Sequence, residues 1–203
     1  MKTMSFPPLR LILASSSVYR KSMLQRLGLP FHTISPDIDE SALPGESPEA
    51  LSQRLAFAKA RRVVDQHPGC IVIGSDQVAT YDGKPIGKPG SHDRAAAQLR
   101  ELSGKTVAFH SALVVTDGKR STVADVVTRC VFRCLTDAEI EHYLTVEKPF
   151  DTAGSAKAEG LGISLMESMH SDDPTAIIGL PLIELSRMLR SFNLNPTLLA
   201  QPL

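Results

Sequence analysis

The sequence predicts an α/β protein, a mixed sheet with flanking helices split into two lobes around a central cleft. Short apolar runs alternate with amphipathic stretches along the chain, Asp-Gly pairs mark two hairpins, and no repeat, low-complexity tract or linker interrupts the alternation. The length of 203 residues suits one domain over 1–203, able to bury a substantial core without disulfide or metal staples.

Leu9 to Ala14 is a short apolar run ending in serines and reads as a buried strand; helical periodicity follows from about Tyr19 to Leu27, closed by Gly28. Phe31 to Ile34 reads as a short strand. Ser47 is a good N-cap and Pro48 a good first residue for a long helix reaching about Gln66. Cys70 to Ile73 starts a second apolar strand that continues through Asp76 to Tyr81, and Asp82-Gly83 turns the chain back through Lys84 to Ile86. Ser91 caps a helix ending at Leu102. Val107 to Thr116 and Thr122 to Phe132, separated by Asp117-Gly118, predict a long hairpin. Thr136 followed by Glu139 is a capping box opening a helix to Thr145. A glycine-rich loop from Gly154 to Gly162, a strand from Ile163 to Met169, a turn at Asp172-Asp173-Pro174 and a helix from Pro181 to Arg190 complete the reading, with a frayed tail after Asn193.

Composition narrows the function. Lys plus Arg and Asp plus Glu each total 22, so no global charge draws the chain to nucleic acid or an anionic membrane, and a polyanion must be held by a local cluster. Cys70, Cys130 and Cys134 form neither a CxxC nor a plausible disulfide framework, which suits a cytoplasmic protein; no targeting or membrane-spanning segment is visible.

Four stretches carry candidate chemistry. Ser15 to Lys21 lies where a strand passes into a helix; its hydroxyls, helix N-terminus and Arg20 and Lys21 suit a phosphate, and an ordinary serine cap beside solvated basic residues reads it as well. Asp76, in Gly74-Ser75-Asp76-Gln77, follows an apolar strand where open α/β sheets place ligands; it suits a carboxylate that binds magnesium or activates water. Asp37, Asp39 and Glu40 form an acidic loop, a second source of metal ligands or a solvated face. The glycine-rich loop lets backbone approach a ligand, or is a plain connection. Lys59 and Lys88 carry little weight alone.

The order of LILASSSVYRKSML, PDIDE, RLAFAKA, IGSDQV, GKP, LSGKTV, AGSAKAEGLG and GLPL resembles the Maf family of nucleotide pyrophosphatases over residues 9 to 192. That resemblance implies an α/β fold with a cleft between lobes, divalent-metal-dependent (Mg or Mn) hydrolysis of a small nucleoside triphosphate to monophosphate and pyrophosphate, and often a homodimer. It matches the family's proton acceptor to Asp76, its phosphate-loop serine and arginine to Ser15 and Arg20, its acidic residue after the second strand to Glu40 and its two lysines to Lys59 and Lys88, and on these matches Glu40 and Asp76 are expected to hold the metal and Ser15, Arg20, Lys59 and Lys88 the phosphates. Where many members read Ser-Pro-Arg-Arg, this chain has Val18-Tyr19-Arg20-Lys21, which lacks the adjacent arginine pair. Tyr19, Gln77 and Glu159 resemble the branch acting on 7-methyl-GTP, whereas Arg, Thr and Gln at those positions mark the branch acting on dTTP and UTP. A methylated guanine is cationic, so an aromatic face such as Tyr19 attracts it, and a carboxylate such as Glu159 accepts from guanine's two Watson–Crick donors. The alternatives are a dTTP or UTP pyrophosphatase of the same family and a nucleotide-binding regulator of septum formation.

Overall fold

A computed structural model describes residues 10–201. Leu9, assigned above to the first strand, lies outside the described residues. Seven strands form one mixed sheet. Strand β1 (Leu11–Ala14) is fully buried and leads into helix α1 (Val18–Gln25), capped by the Ser17 side chain on the Arg20 amide. Strand β2 (His32–Ile34) is followed by helix α2 (Pro48–Val64), with Ser47 at its cap and Pro48 in its first turn as the sequence predicts. Strand β3 (Ile71–Tyr81) turns at Asp82-Gly83 into β4 (Lys84–Ile86), and helix α3 (His92–Leu102) follows. The hairpin of β5 (Thr106–Thr116) and β6 (Ser121–Phe132) closes on the pair Thr116–Ser121, its loop pinned by the Asp117 side chain accepting from the Lys119 and Arg120 amides. Helix α4 (Asp137–Glu147) carries the expected capping box. Strand β7 (Met166–His170), helix α5 (Leu182–Ser191) and helix α6 (Pro196–Leu199) complete the chain.

The strand order is β2-β1-β3-β5-β6-β7, with β4 also on β3. The pairing of β3 positions the site. Residues 71–74 run parallel to β1, residues 79–81 pair antiparallel with β4 on that same edge, and residues 72–80 pair with β5 on the other. On the first edge, therefore, Ser75 to Val78 have no ladder partner, and a notch opens between the end of β1 and the start of β4. Asp76 lies in mid-strand, two residues past the last pairing with β1, at the carboxyl end of the parallel segment.

Two apolar clusters on one face flank that notch. The first joins Leu13, Leu24, Ile73, Leu113, Leu185 and Leu189; the second joins Ala79, Leu99, Phe109, Ile140 and Tyr143. Along β3 and β5 the polar residues Ser75, Gln77 and Ser111 fall between them, so the hydrophobic division into two lobes coincides with a polar seam. The opposite face is covered by α2. A Cβ at Gly74 would lie 2.2 Å from the Ala56 carbonyl oxygen and 2.8 Å from the Ala60 Cβ, so this glycine, with small residues facing it, lets α2 lie directly on the strand. That close approach brings Lys59 to Asp76.

Two sequence expectations are corrected. The glycine-rich loop contains two 3-10 turns, Ala153–Ser155 and Leu161–Leu165, and the second occupies the segment where the last strand was expected to begin. The tail is held: Leu194 is buried, and the Gln201 amide donates to the Gly28 carbonyl at 2.8 Å, docking the tail where α1 ends. None of the helices in the described residues is long and apolar enough to cross a membrane.

Candidate active site

The notch opens into a cleft of about 560 Å³. Ser15, Tyr19, Arg20, Glu40, Lys59, Asp76, Gln77, Lys88 and Glu159 all line it, together with Phe109, Ala153, Ala156 and the segment Ile177–Gly179. They come from eight separate stretches of sequence.

The floor is a charged cluster. Lys59 and Asp76 are 5% and 6% exposed, and the Lys59 ammonium donates to Asp76 Oδ1 at 2.6 Å. The same ammonium lies 2.7 Å from Glu40 Oε1, so two carboxylates, one buried and one exposed, converge on a single cation. Two of the three ammonium protons are thereby engaged and one remains for a ligand. Asp76 is a mid-strand residue with a buried ionic partner.

Arg20 stands on the first turns of α1. Its Nε donates to the Gly179 carbonyl at 3.0 Å, and Gly179, at φ +104, holds a backbone conformation suited to glycine. Burial pulls the Arg20 pKa below its ordinary value, opposed by the charges of Asp76 and Glu40. Ser15 is buried, and its Oγ accepts from the Ser17 amide at 3.1 Å. Lys88 is exposed at the rim.

At the other end, Gln77 is fixed through its amide nitrogen, which lies 3.0 Å from Ser111 Oγ, 3.0 Å from the Ala176 carbonyl and 3.1 Å from the Ile177 carbonyl. Carbonyls only accept, so the nitrogen must face them, and the carbonyl oxygen is the polar group Gln77 has left for a ligand. Glu159 is exposed in the glycine-rich loop. The loop rests on α4: the buried Tyr143 hydroxyl, its pKa pushed up to about 12 by burial, accepts from the Lys157 amide at 3.1 Å, and Glu147 accepts from the Leu161 amide at 2.8 Å.

Five carboxylates, Asp37, Glu40, Asp76, Asp151 and Glu159, face only three cationic side chains, Arg20, Lys59 and Lys88. A triphosphate entering such a cleft needs added positive charge. Among the described residues no group of three or more His, Cys, Asp or Glu side chains is arranged to hold a metal. Glu40 and Asp76 are the carboxylates that would hold a divalent ion here, and their convergence on one cation fits that role.

Sequence reasoning missed the cover of this site. Ala176, Ile177 and Gly179 contribute main-chain oxygens, which no residue type announces; the motif Gly179-Leu180-Pro181-Leu182 was the one available signal. Phe109 was missed because it reads as an ordinary core position of β5.

The fold and site together define an α/β protein whose central strand is left unpaired along one edge at a charged cleft. A family model described as Maf-like protein matches residues 10–192, and the chain belongs to the Maf family. A 7-methyl-GTP pyrophosphatase of Bordetella avium is 69% identical over 187 residues, 92% of this chain and 95% of that protein. Proteins of the same name from Bordetella pertussis and Cupriavidus pinatubonensis are 64% and 57% identical, covering 95% and 92% of this chain and 96% and 94% of their own lengths. Among solved structures, the Staphylococcus aureus Ham1 protein aligns at 15% identity and a TM-score of 0.44 over 60% of this chain and 71% of its own, too distant to add to the argument.

Proposed function

We propose that the protein is a cytoplasmic nucleoside triphosphate pyrophosphatase that hydrolyses 7-methyl-GTP to the monophosphate and pyrophosphate. The observation that carries this reading is the convergence of Asp76, Glu40 and Lys59 on one point beside Arg20 in the cleft. The names of relatives covering nearly the whole chain agree with it. Three free cysteines, two of them buried, suit a reducing compartment.

In this reading Ser15, Arg20, Lys59 and Lys88 hold the triphosphate, and a phosphate offsets the loss of hydration that burial imposes on Arg20. Glu40 and Asp76 hold magnesium or manganese, which when bound neutralises phosphate charge and polarises the phosphoryl group. Asp76 accepts a proton from the attacking water; the water oxygen bonds to the α phosphorus, and the bond to the β-phosphate oxygen breaks, releasing pyrophosphate. Positioning and charge neutralisation supply most of the rate.

At the base end, Tyr19 offers its ring to the cationic methylguanine, an attraction of about 0.5–2 kcal/mol. Glu159 and the Gln77 carbonyl oxygen are both acceptors. They match guanine's N–H donors and oppose the outward carbonyls of uracil and thymine, which favours the purine over dTTP or UTP.

Pyrophosphate release from 7-methyl-GTP, GTP, UTP and dTTP, with and without magnesium, tests the reading. The expected kcat/KM for 7-methyl-GTP exceeds that for UTP by at least about a hundredfold, and the paired change Tyr19→Arg with Glu159→Gln lowers that ratio by about tenfold or more. Selectivity untouched by the paired change would remove the base-side assignment.

A further inference from the structure

We infer that Asp173 is a positioning residue that sets both ends of the cleft at once, an inference that rests on the proposed function for the naming of its ligand. Asp173 is 2% exposed and lies on the segment joining β7 to α5, outside the cleft. The cap position of α5 is Pro181, which makes no side-chain cap, so the first amides of that helix need an acceptor from elsewhere. Asp173 provides it: Oδ2 accepts from the Ile183 amide at 2.7 Å and the Glu184 amide at 3.3 Å. Its other oxygen accepts from the Thr175 amide at 3.0 Å and the Thr175 hydroxyl at 2.6 Å, while the Thr175 oxygen accepts from the Leu182 amide at 2.7 Å.

One buried carboxylate and one hydroxyl thus tie the start of α5 to the 3-10 turn Ala176–Ile178. That turn and the glycine after it hold two residues that line the cleft, Arg20 and Gln77, and two buried serines beside them. The Gly179 carbonyl takes Arg20 Nε and Ser75 Oγ, at 3.0 and 3.1 Å, on the phosphate side. The Ala176 carbonyl takes Ser111 Oγ at 2.8 Å and shares the Gln77 amide nitrogen with the Ile177 carbonyl on the base side. If the turn shifts, Arg20 loses its aim and Gln77 is free to flip, presenting a donor where it had presented an acceptor. A carboxylate that only stabilised α5 would leave both unaffected.

The two possibilities separate in steady-state kinetics. Asp173→Asn keeps the shape but puts an N–H group against donors. It is expected to raise KM about tenfold or more and to shrink, by a similar factor, the kcat/KM ratio between the best and worst nucleotides of the wild-type panel, together with any fall in kcat. Thr175→Val is expected to give the same pattern, and Thr175→Ser, which keeps the hydroxyl, to restore wild-type values. That pair carries the test if the Asn variant fails to fold. Wild-type protein assayed alongside tells a failed substrate assignment, in which another nucleotide is preferred, from a failed positioning role. A loss confined to kcat or to folded yield, with KM and selectivity unchanged, would overturn the inference.

Discussion

Asp76→Asn is expected to fold as the parent does and to release pyrophosphate at least about a thousandfold more slowly, the scale of losing a proton acceptor that also holds a metal. Asparagine keeps the size and one oxygen for the Lys59 ammonium, and that ammonium keeps Glu40, so packing and most of the ion pairing survive. What it cannot do is take a proton or carry charge to a divalent ion. Kcat measured at saturating substrate, beside a urea unfolding curve, separates the two effects. Turnover within a few-fold of the parent would remove Asp76 from the chemistry.

Lys59→Met is expected to act in the opposite place, on the fold. It leaves Asp76, at 6% exposure, without its hydrogen-bonded cation, and breaking a buried pair from one side typically costs about 3–5 kcal/mol. The outcome expected here is near the lower end, because the exposed Glu40 side chain loses little. The double variant with Asp76→Asn should recover much of the loss, since no buried charge is then left alone, while remaining inactive. Urea unfolding of the four proteins in this cycle measures it; a cost below about 1 kcal/mol for the single Lys59 change would mean that water already screens the pair.

The contrast between these variants reflects what a sequence makes legible. Local chemistry was readable: Ser47-Pro48 and Thr136 with Glu139 fix helix starts through contacts a few residues apart, and Asp82-Gly83 fixes a turn. The candidate residues were also readable one by one, because Asp76 after an apolar run and Arg20 after a serine cluster are unusual placements. Their convergence was not. It depends on β3 pairing with β1 for four residues and with β4 for three, leaving the notch between, and on Gly74 admitting α2 closely enough for Lys59 to reach. Register of this kind is a tertiary choice that local patterns do not encode.

The tail and the loop failed for related reasons. Fraying was expected after Asn193 from position alone, but Leu194 finds the first core cluster and Gln201 pairs with Gly28. Ile163 carries a strand-forming side chain, yet Gly160 and Gly162 start a 3-10 turn anchored on Glu147, and pairing begins only at Met166.

The central claim is that Asp76 and Glu40 share one cation in the cleft that holds the nucleotide's phosphates. Crystals of the protein grown with manganese and a 7-methyl-GTP analogue that cannot be cut between the α and β phosphates, measured at a wavelength where manganese scatters anomalously, test it most directly. The expected result is an anomalous peak bound by oxygens of both carboxylates and of the phosphates, with the base against Tyr19. A nucleotide bound outside the notch, or a manganese-free site with Lys59 still closed on Asp76 and Glu40, would contradict it.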